Sequence, residues 1–280
     1  MNINKEYYAY NIIYIILTSI FGDYDILKDP EEIDPYAYYI CITDNKDLKS
    51  NVWHIIYDEE LANSSYTNLQ KAFIIKYKKI FSYFNLDSFR YIVRLDASIQ
   101  LHKPLYPIIK YLYDNDYDCC LMLHPERNDM IDEYNEWETL RNHNKIYKDT
   151  FIREMSKRLF DINNTGLIET TLQIYKINST MYHFVNDLSN TIESITNFTD
   201  NNDQCYYTYV LSKYINYIKP LFVNRQIISS DYMDLCFHYT NEIVYKDHIH
   251  ARGPKGEHIY DLDTPIHYKL FNKYYTIKYF

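Results

Sequence analysis

The chain has 280 residues, 47% of them hydrophobic and 24% charged, the proportions of a globular protein with a sizeable core rather than of a disordered chain. Its 29 Lys and Arg against 38 Asp and Glu give a formal charge of −9, so no overall positive field attracts nucleic acid or an anionic membrane. The four glycines, Gly22, Gly166, Gly253 and Gly256, are too scattered for the clustered loops of dinucleotide-binding or P-loop proteins. Any phosphate must then be held by side chains or a metal. The 34 tyrosines accompany abundant Ile, Asn and Lys and read as background composition. Five cysteines without a CxxC pair point to a reducing compartment. The longest apolar run, Ile12 to Phe21, is too short to span a bilayer, and the opening residues lack a signal-peptide shape. A cytoplasmic protein is expected.

With no linker, repeat or composition break, the chain reads as one domain over 1–280, less regular over 244–280. Runs rich in β-branched and aromatic residues predict strands at 11–20, 38–43 and 52–57. Asn63, Ser64 or Ser65 can cap the helix that follows. Leu69, Phe73, Tyr77, Phe81 and Phe84 form its apolar stripe, with Lys71, Lys76, Lys78 and Lys79 mainly off it. Next come a strand at 89–95, a helix over 106–116, a strand at 119–125 and an acidic helical stretch from Asn128 to about Asn144. A strand at 172–177 and helices from about Ser179 and from Asp203 through Tyr217 follow. This alternation predicts a three-layer α/β domain.

Asp96 follows YIVRL directly, so the strand delivers its carboxylate to the C-terminal edge of the sheet, where ligands of open α/β sheets bind. LDASIQL has the shape of an Asp-x-Asp element, in which carboxylates hold a divalent metal on a diphosphate. Ser98, in the second position, is a weaker neutral ligand. The plainer reading of Asp96 is a strand-ending residue that caps the next turn.

Seven segments occur in the order and approximate spacing of a known family. They are TSIFGDYDIL (18–27), YYICITDNKDLKSNVWHIIY (38–57), Lys71-Ala72, VRLDASIQL (93–101), LHPERNDMIDE (123–133), NTGLIETTLQIYK (164–176), and NNDQ with the following YVLSK (201–213). Over about residues 12–215 the chain resembles the glycosyltransferase-like family that includes plant proteins linked to turgor regulation and seed mucilage. The resemblance implies a GT-A-like three-layer α/β/α domain with a mixed central sheet. It further implies a nucleotide-sugar donor, a UDP-sugar first among them, a divalent metal such as Mn²⁺ or Mg²⁺, and transfer to a hydroxyl of a glycan, protein or small molecule. It places Phe21 and Tyr24 near the base, Asp44 near base or ribose, Lys71 on the helix beneath the donor, and Asp96 with Ser98 at the metal. For Phe21 and Tyr24 the alternative is core packing at a strand end, and for Asp44 the start of the turn DNKD.

Four further groups stand at element ends. His124 can bind hydroxyls and Arg127 a phosphate or carboxylate, with Glu133 orienting either; an internal Arg–Glu ion pair is the alternative. Gly166 allows close backbone approach, a plain turn glycine being the alternative, and Glu169 is a candidate acceptor-side carboxylate. Asp203 can deprotonate an acceptor hydroxyl in an inverting displacement, or Gln204 can line the reactive face of the sugar in a retaining one; the alternative for Asp203 is an N-cap. In the tail HIHARGPKGEH, His250 can serve as a late metal ligand, and Lys255 or Arg252 can clamp a diphosphate; an exposed polar tail is the other reading. Three functions remain in view: a metal-assisted glycosyltransferase, a catalytically weakened nucleotide- or carbohydrate-binding protein, and a haloacid-dehalogenase-type phosphatase. Ser98 counts against the last, which needs a second Asp there.

Overall fold

The computed structural model describes residues 13–22, 25–83, 86–124, 127, 129–141, 145–163, 165–224, 233–235, 267–270 and 273–276. In chain order its elements are β1 (Tyr14–Ile20), β2 (Ala37–Thr43), β3 (His54–Tyr57), α1 (Glu59–Ala62), α2 (Asn68–Phe73), a π-helical continuation (Ile74–Lys79), β4 (Tyr91–Leu95), β5 (Ile99–Leu101), α3 (Tyr106–Asp114) and β6 (Cys119–Leu123). There follow α4 (Met130–Arg141), α5 (Lys145–Lys157), β7 (Ile168–Lys176), α6 (Ser179–Thr196), α7 (Asp203–Tyr214), β8 (Pro220–Asn224), β9 (Met233–Leu235), β10 (His267–Leu270) and β11 (Lys273–Thr276). Among the described residues the central sheet has seven strands in the order β3-β2-β1-β4-β7-β6-β8. β1 to β4 run parallel, β7 is antiparallel to both β4 and β6, and β8 is parallel to β6. The domain is therefore α/β with a mixed sheet. β5 pairs with β9, and β10 with β11, in two small antiparallel ladders.

Alternation along β1 sets the layers. Ile15 and Leu17 enter one core, Tyr14, Ile16 and Ile20 the other, the pattern of a strand covered on both faces. The first core holds residues of α2, its π-helical continuation, and α4 to α7; the second is closed by Ile108, Ile109 and Leu112 of α3. The tyrosines are more than background composition, because Tyr14, Tyr77, Tyr91, Tyr134, Tyr175, Tyr206 and Tyr207 are fully buried and fill both cores. Among the described residues, no helix is long and apolar enough to cross a membrane.

Buried Asp34 ties the loop before β2 to the second core. It accepts from the Tyr14 hydroxyl and from the backbone N–H groups of Tyr36 and Tyr106, and its own N–H donates to the Tyr39 hydroxyl. Asp34→Ala leaves one buried and two part-buried donors unsatisfied, at about 1–3 kcal/mol for a fully buried one and less for the others. A loss of about 3 kcal/mol in urea denaturation is expected.

Several elements differ from their sequence reading. The helix expected to start from Asn63, Ser64 or Ser65 starts at Asn68, because Thr67 and Gln70 form a reciprocal capping box; Asp58 caps the separate α1, which Asn63 ends. The π-helical turn after Phe73 carries Lys76 inward, and Lys71 is buried too, while Lys78 stays exposed. Phe84 lies outside the described residues. The acidic stretch is α4, and α5 follows it where no helix was expected; α7 stops at Tyr214, and β7 begins at Ile168 rather than Leu172. The added start of β7 contains a bulge: Leu121 faces Gln173 while the next residue, Met122, faces Glu169. Ile168 and Tyr175, an odd number of residues apart, consequently lie in the same core.

Candidate functional site

After β1 the chain builds outward through β2 and β3, then crosses to the other side of β1 to form β4. The carboxyl ends of β1 and β4 therefore bound a topological switch point, where open α/β sheets place their ligands. The side chains gathered around that edge form three groups.

The first follows β1 and β2. Gly22 has φ of +62°, which L side chains rarely adopt, and a Cβ there would stand 2.3 Å from Asn68 Nδ2. Its N–H donates to Asp44 Oδ1 at 2.9 Å, and Lys71 Nζ donates to Asp44 Oδ2 at 2.8 Å. Burial alone would raise the Asp44 pKa, but the bonds from Lys71 and Gly22 outweigh it and hold the carboxyl below its usual range. The turn chemistry expected of Asp44 belongs to Asn45, whose side chain accepts from the Asp47 N–H. Phe21 is buried in the first core, its packing alternative.

The second follows β4. Asp96 is the solvent-facing member, with 36% of its side chain exposed. Its Oδ1 pairs with Arg94 and lies 3.9 Å from Lys76 Nζ. Arg94 also reaches the Thr170 carbonyl, and its side chain is only 7% exposed. Lys76, 3% exposed, is bound by Asp203, whose carboxylate also accepts from the Tyr77 and Thr170 hydroxyls. Asn202, not Asp203, is the N-cap residue of α7. Asp203 therefore anchors a buried lysine, with the Tyr77 and Thr170 hydroxyls donating to the same carboxylate. Ser98 is buried in the turn that Ile99 N–H closes onto the Asp96 carbonyl.

The third spans the bulge and the end of β6. Glu169 accepts from the Thr171 N–H at 3.1 Å, across the bulge. Buried His124 accepts at Nδ1 from the Arg127 N–H, while Arg127 pairs with Glu133, which also takes the Trp137 indole N–H. This is the internal ion pair that was the alternative for these residues. In the turn before α7 and at its start, Asn201 Oδ1, Asn202 Nδ2 and Gln204 Oε1 are buried without a hydrogen-bond partner, an unusual concentration of unsatisfied amide groups. Tyr24, His250 and Lys255 lie outside the described residues.

The sequence reading missed the role of Arg94, Lys76, Tyr77 and Thr170. The signal for one of them was present: an Arg inside the apolar run YIVRL is a charge that a buried strand must pair.

The donor set at Asp96 tests the implied metal. Among the described residues, no group of three His, Cys, Asp or Glu converges, and Asp96 already faces a guanidinium and a lysine. At an effective dielectric of about 20, like unit charges about 4 Å apart cost about 4 kcal/mol, and a dication doubles that. These residues do not suit a resident divalent cation. A scan against protein-family models finds no match to the chain, and a search of curated proteins finds none either.

Proposed function

We propose that the chain is a glycosyltransferase of the GT-A-like kind, moving a sugar from a nucleotide-diphosphate donor to a hydroxyl of a glycan, protein or small molecule. The observation that carries this reading is the β1/β4 switch point, flanked on one side by Gly22, Asp44 and Lys71 and on the other by Arg94, Asp96 and Lys76. Carboxylate on the β2 side suits ribose hydroxyls, while the three cations suit a diphosphate. The unsatisfied amides of Asn201, Asn202 and Gln204 offer donors and acceptors for the hydroxyls of a sugar. The order of sequence segments that resemble the family agrees with a mixed sheet of this layout.

In this reaction the bond from the sugar's anomeric carbon to the diphosphate oxygen breaks, the bond's electron pair leaving with the diphosphate, and the acceptor oxygen bonds to that carbon as its proton passes to the Glu169 carboxylate. The chain's contribution is positional and electrostatic: Lys71, Lys76 and Arg94 hold negative charge on the leaving diphosphate, and Gln204 orients the sugar. Glu169 is the acceptor-side carboxylate of this reading, and Asp203 keeps Lys76 in place. Melting curves with UDP- and GDP-sugars test the site, with a raised midpoint expected for one base and sugar; no shift with any donor contradicts it.

A second reading, a binding protein without turnover, draws on Ser98 in the second Asp-x-Asp position and on Asp96 being occupied by Arg94. It predicts stabilisation without release of nucleotide.

A further inference from the structure

The same cluster points past the implied metal. We propose that Arg94 and Lys76 neutralise the donor's diphosphate directly, with Asp96 as the counter-ion that the diphosphate displaces; this rests on the nucleotide-sugar reading above.

Both cations address one oxygen of Asp96, Arg94 as an ion pair and Lys76 at 3.9 Å. The cations are fixed from behind. Arg94 issues from the central strand β4 and is held by the Thr170 carbonyl. Lys76 is held by Asp203, with its ammonium 5.3 Å and 5.9 Å from the ring centroids of Tyr77 and Phe73. Asp96, by contrast, is the member of the cluster most open to solvent, so its carboxylate can leave the pair and stay hydrated. A diphosphate carries more charge than a carboxylate and accepts two parallel bonds from a guanidinium, so it wins the exchange. Asp203 remains on Lys76 throughout, and the buried lysine is never left without a counter-ion. In this arrangement the work of a divalent cation, balancing charge on the leaving diphosphate, falls to two side chains that are already in place.

The two accounts of Asp96 make opposite predictions for one substitution. If Asp96 is a metal ligand, Asp96→Asn weakens binding of a nucleoside diphosphate and abolishes its metal dependence. If Asp96 is a displaceable counter-ion, the substitution frees Arg94 and tightens binding. The experiment is calorimetric titration of UDP and of GDP into the purified full chain and into Asp96→Asn, each in EDTA and in Mn²⁺, with circular dichroism to verify folding. Expected are equal affinities in EDTA and Mn²⁺ for the unsubstituted chain, and affinity about tenfold higher in Asp96→Asn. Loss of binding in EDTA, or unchanged or weaker binding in Asp96→Asn, overturns the proposal and leaves the transferase reading standing. Failure of both nucleotides to bind either protein under both conditions overturns the transferase reading with it.

Discussion

Above pH 10 the protein is expected to unfold in one cooperative step, with its buried tyrosines ionising together as it does so. Burial pushes the Tyr39 hydroxyl up to about 12, and it raises Tyr77, Tyr134 and Tyr207 well above their ordinary value. Tyr14, Tyr91, Tyr175 and Tyr206 are raised in the same direction, chiefly by burial. A group whose folded pKa is raised contributes stability that is complete below its unfolded pKa, about 10 for Tyr, and lost as pH rises through the folded value. Tyr39 alone accounts for about 3 kcal/mol across two pH units. A domain's total stability is about 5–15 kcal/mol, so the shared penalty exhausts it before the deepest hydroxyls ionise in the folded state. The buried tyrosines' share of the tyrosinate absorbance should therefore rise at the midpoint of the change in far-ultraviolet circular dichroism. Full tyrosine ionisation near pH 10 with the dichroism unchanged would contradict the burial pattern.

Asp203→Ala is expected to be the most destabilising single change at the site. It removes the carboxylate that binds Lys76 and accepts from Tyr77 and Thr170, leaving the buried ammonium with the longer 3.9 Å pairing to the half-exposed Asp96. Breaking a buried pair from one side costs about 3–5 kcal/mol, a fall of about 10 °C in melting midpoint for a chain of this size. Adding Lys76→Met removes the stranded charge and should restore most of the loss, a coupling that the double-mutant cycle measures directly. If Asp203→Ala melts with the unsubstituted chain, the anchoring role assigned to Asp203 is wrong.

The parts of the fold that were readable in the sequence are those in which one local rule decides. The apolar runs gave β1, β2, β4 and β6 within a few residues, and Asn178 capping Met181 N–H starts α6 where the periodicity places it. Competing signals misled at α2, where Asn63, Ser64 and Ser65 look like caps as good as Thr67. Only Gln70, three residues beyond Thr67, marks the true start. The short β8 was not recognised, and a proline at its first residue weakens its signal. The direction of β7 was not legible either, because strand direction is settled by topology and not by the composition of LQIYK.

The site shows the same division. Strand ends placed Asp44 and Asp96 at the sheet edge, and helix pattern placed Asp203 and Gln204 at the start of α7. What the sequence hid was which charges meet. Lys76 reads as a solvated residue beside an apolar stripe until the π-helical turn carries it inward. Thr170 and Gln173 reach the same face of the sheet only because the bulge reverses the alternation of β7.

Turnover of a nucleotide sugar tests the central claim most directly. The purified chain is incubated with UDP-, GDP- and other nucleotide sugars, with and without Mn²⁺, and the released nucleoside diphosphate is measured. The account predicts release from one donor, undiminished in EDTA and abolished in Arg94→Gln. No release from any donor, with or without a panel of glycan and small-molecule acceptors, would contradict it.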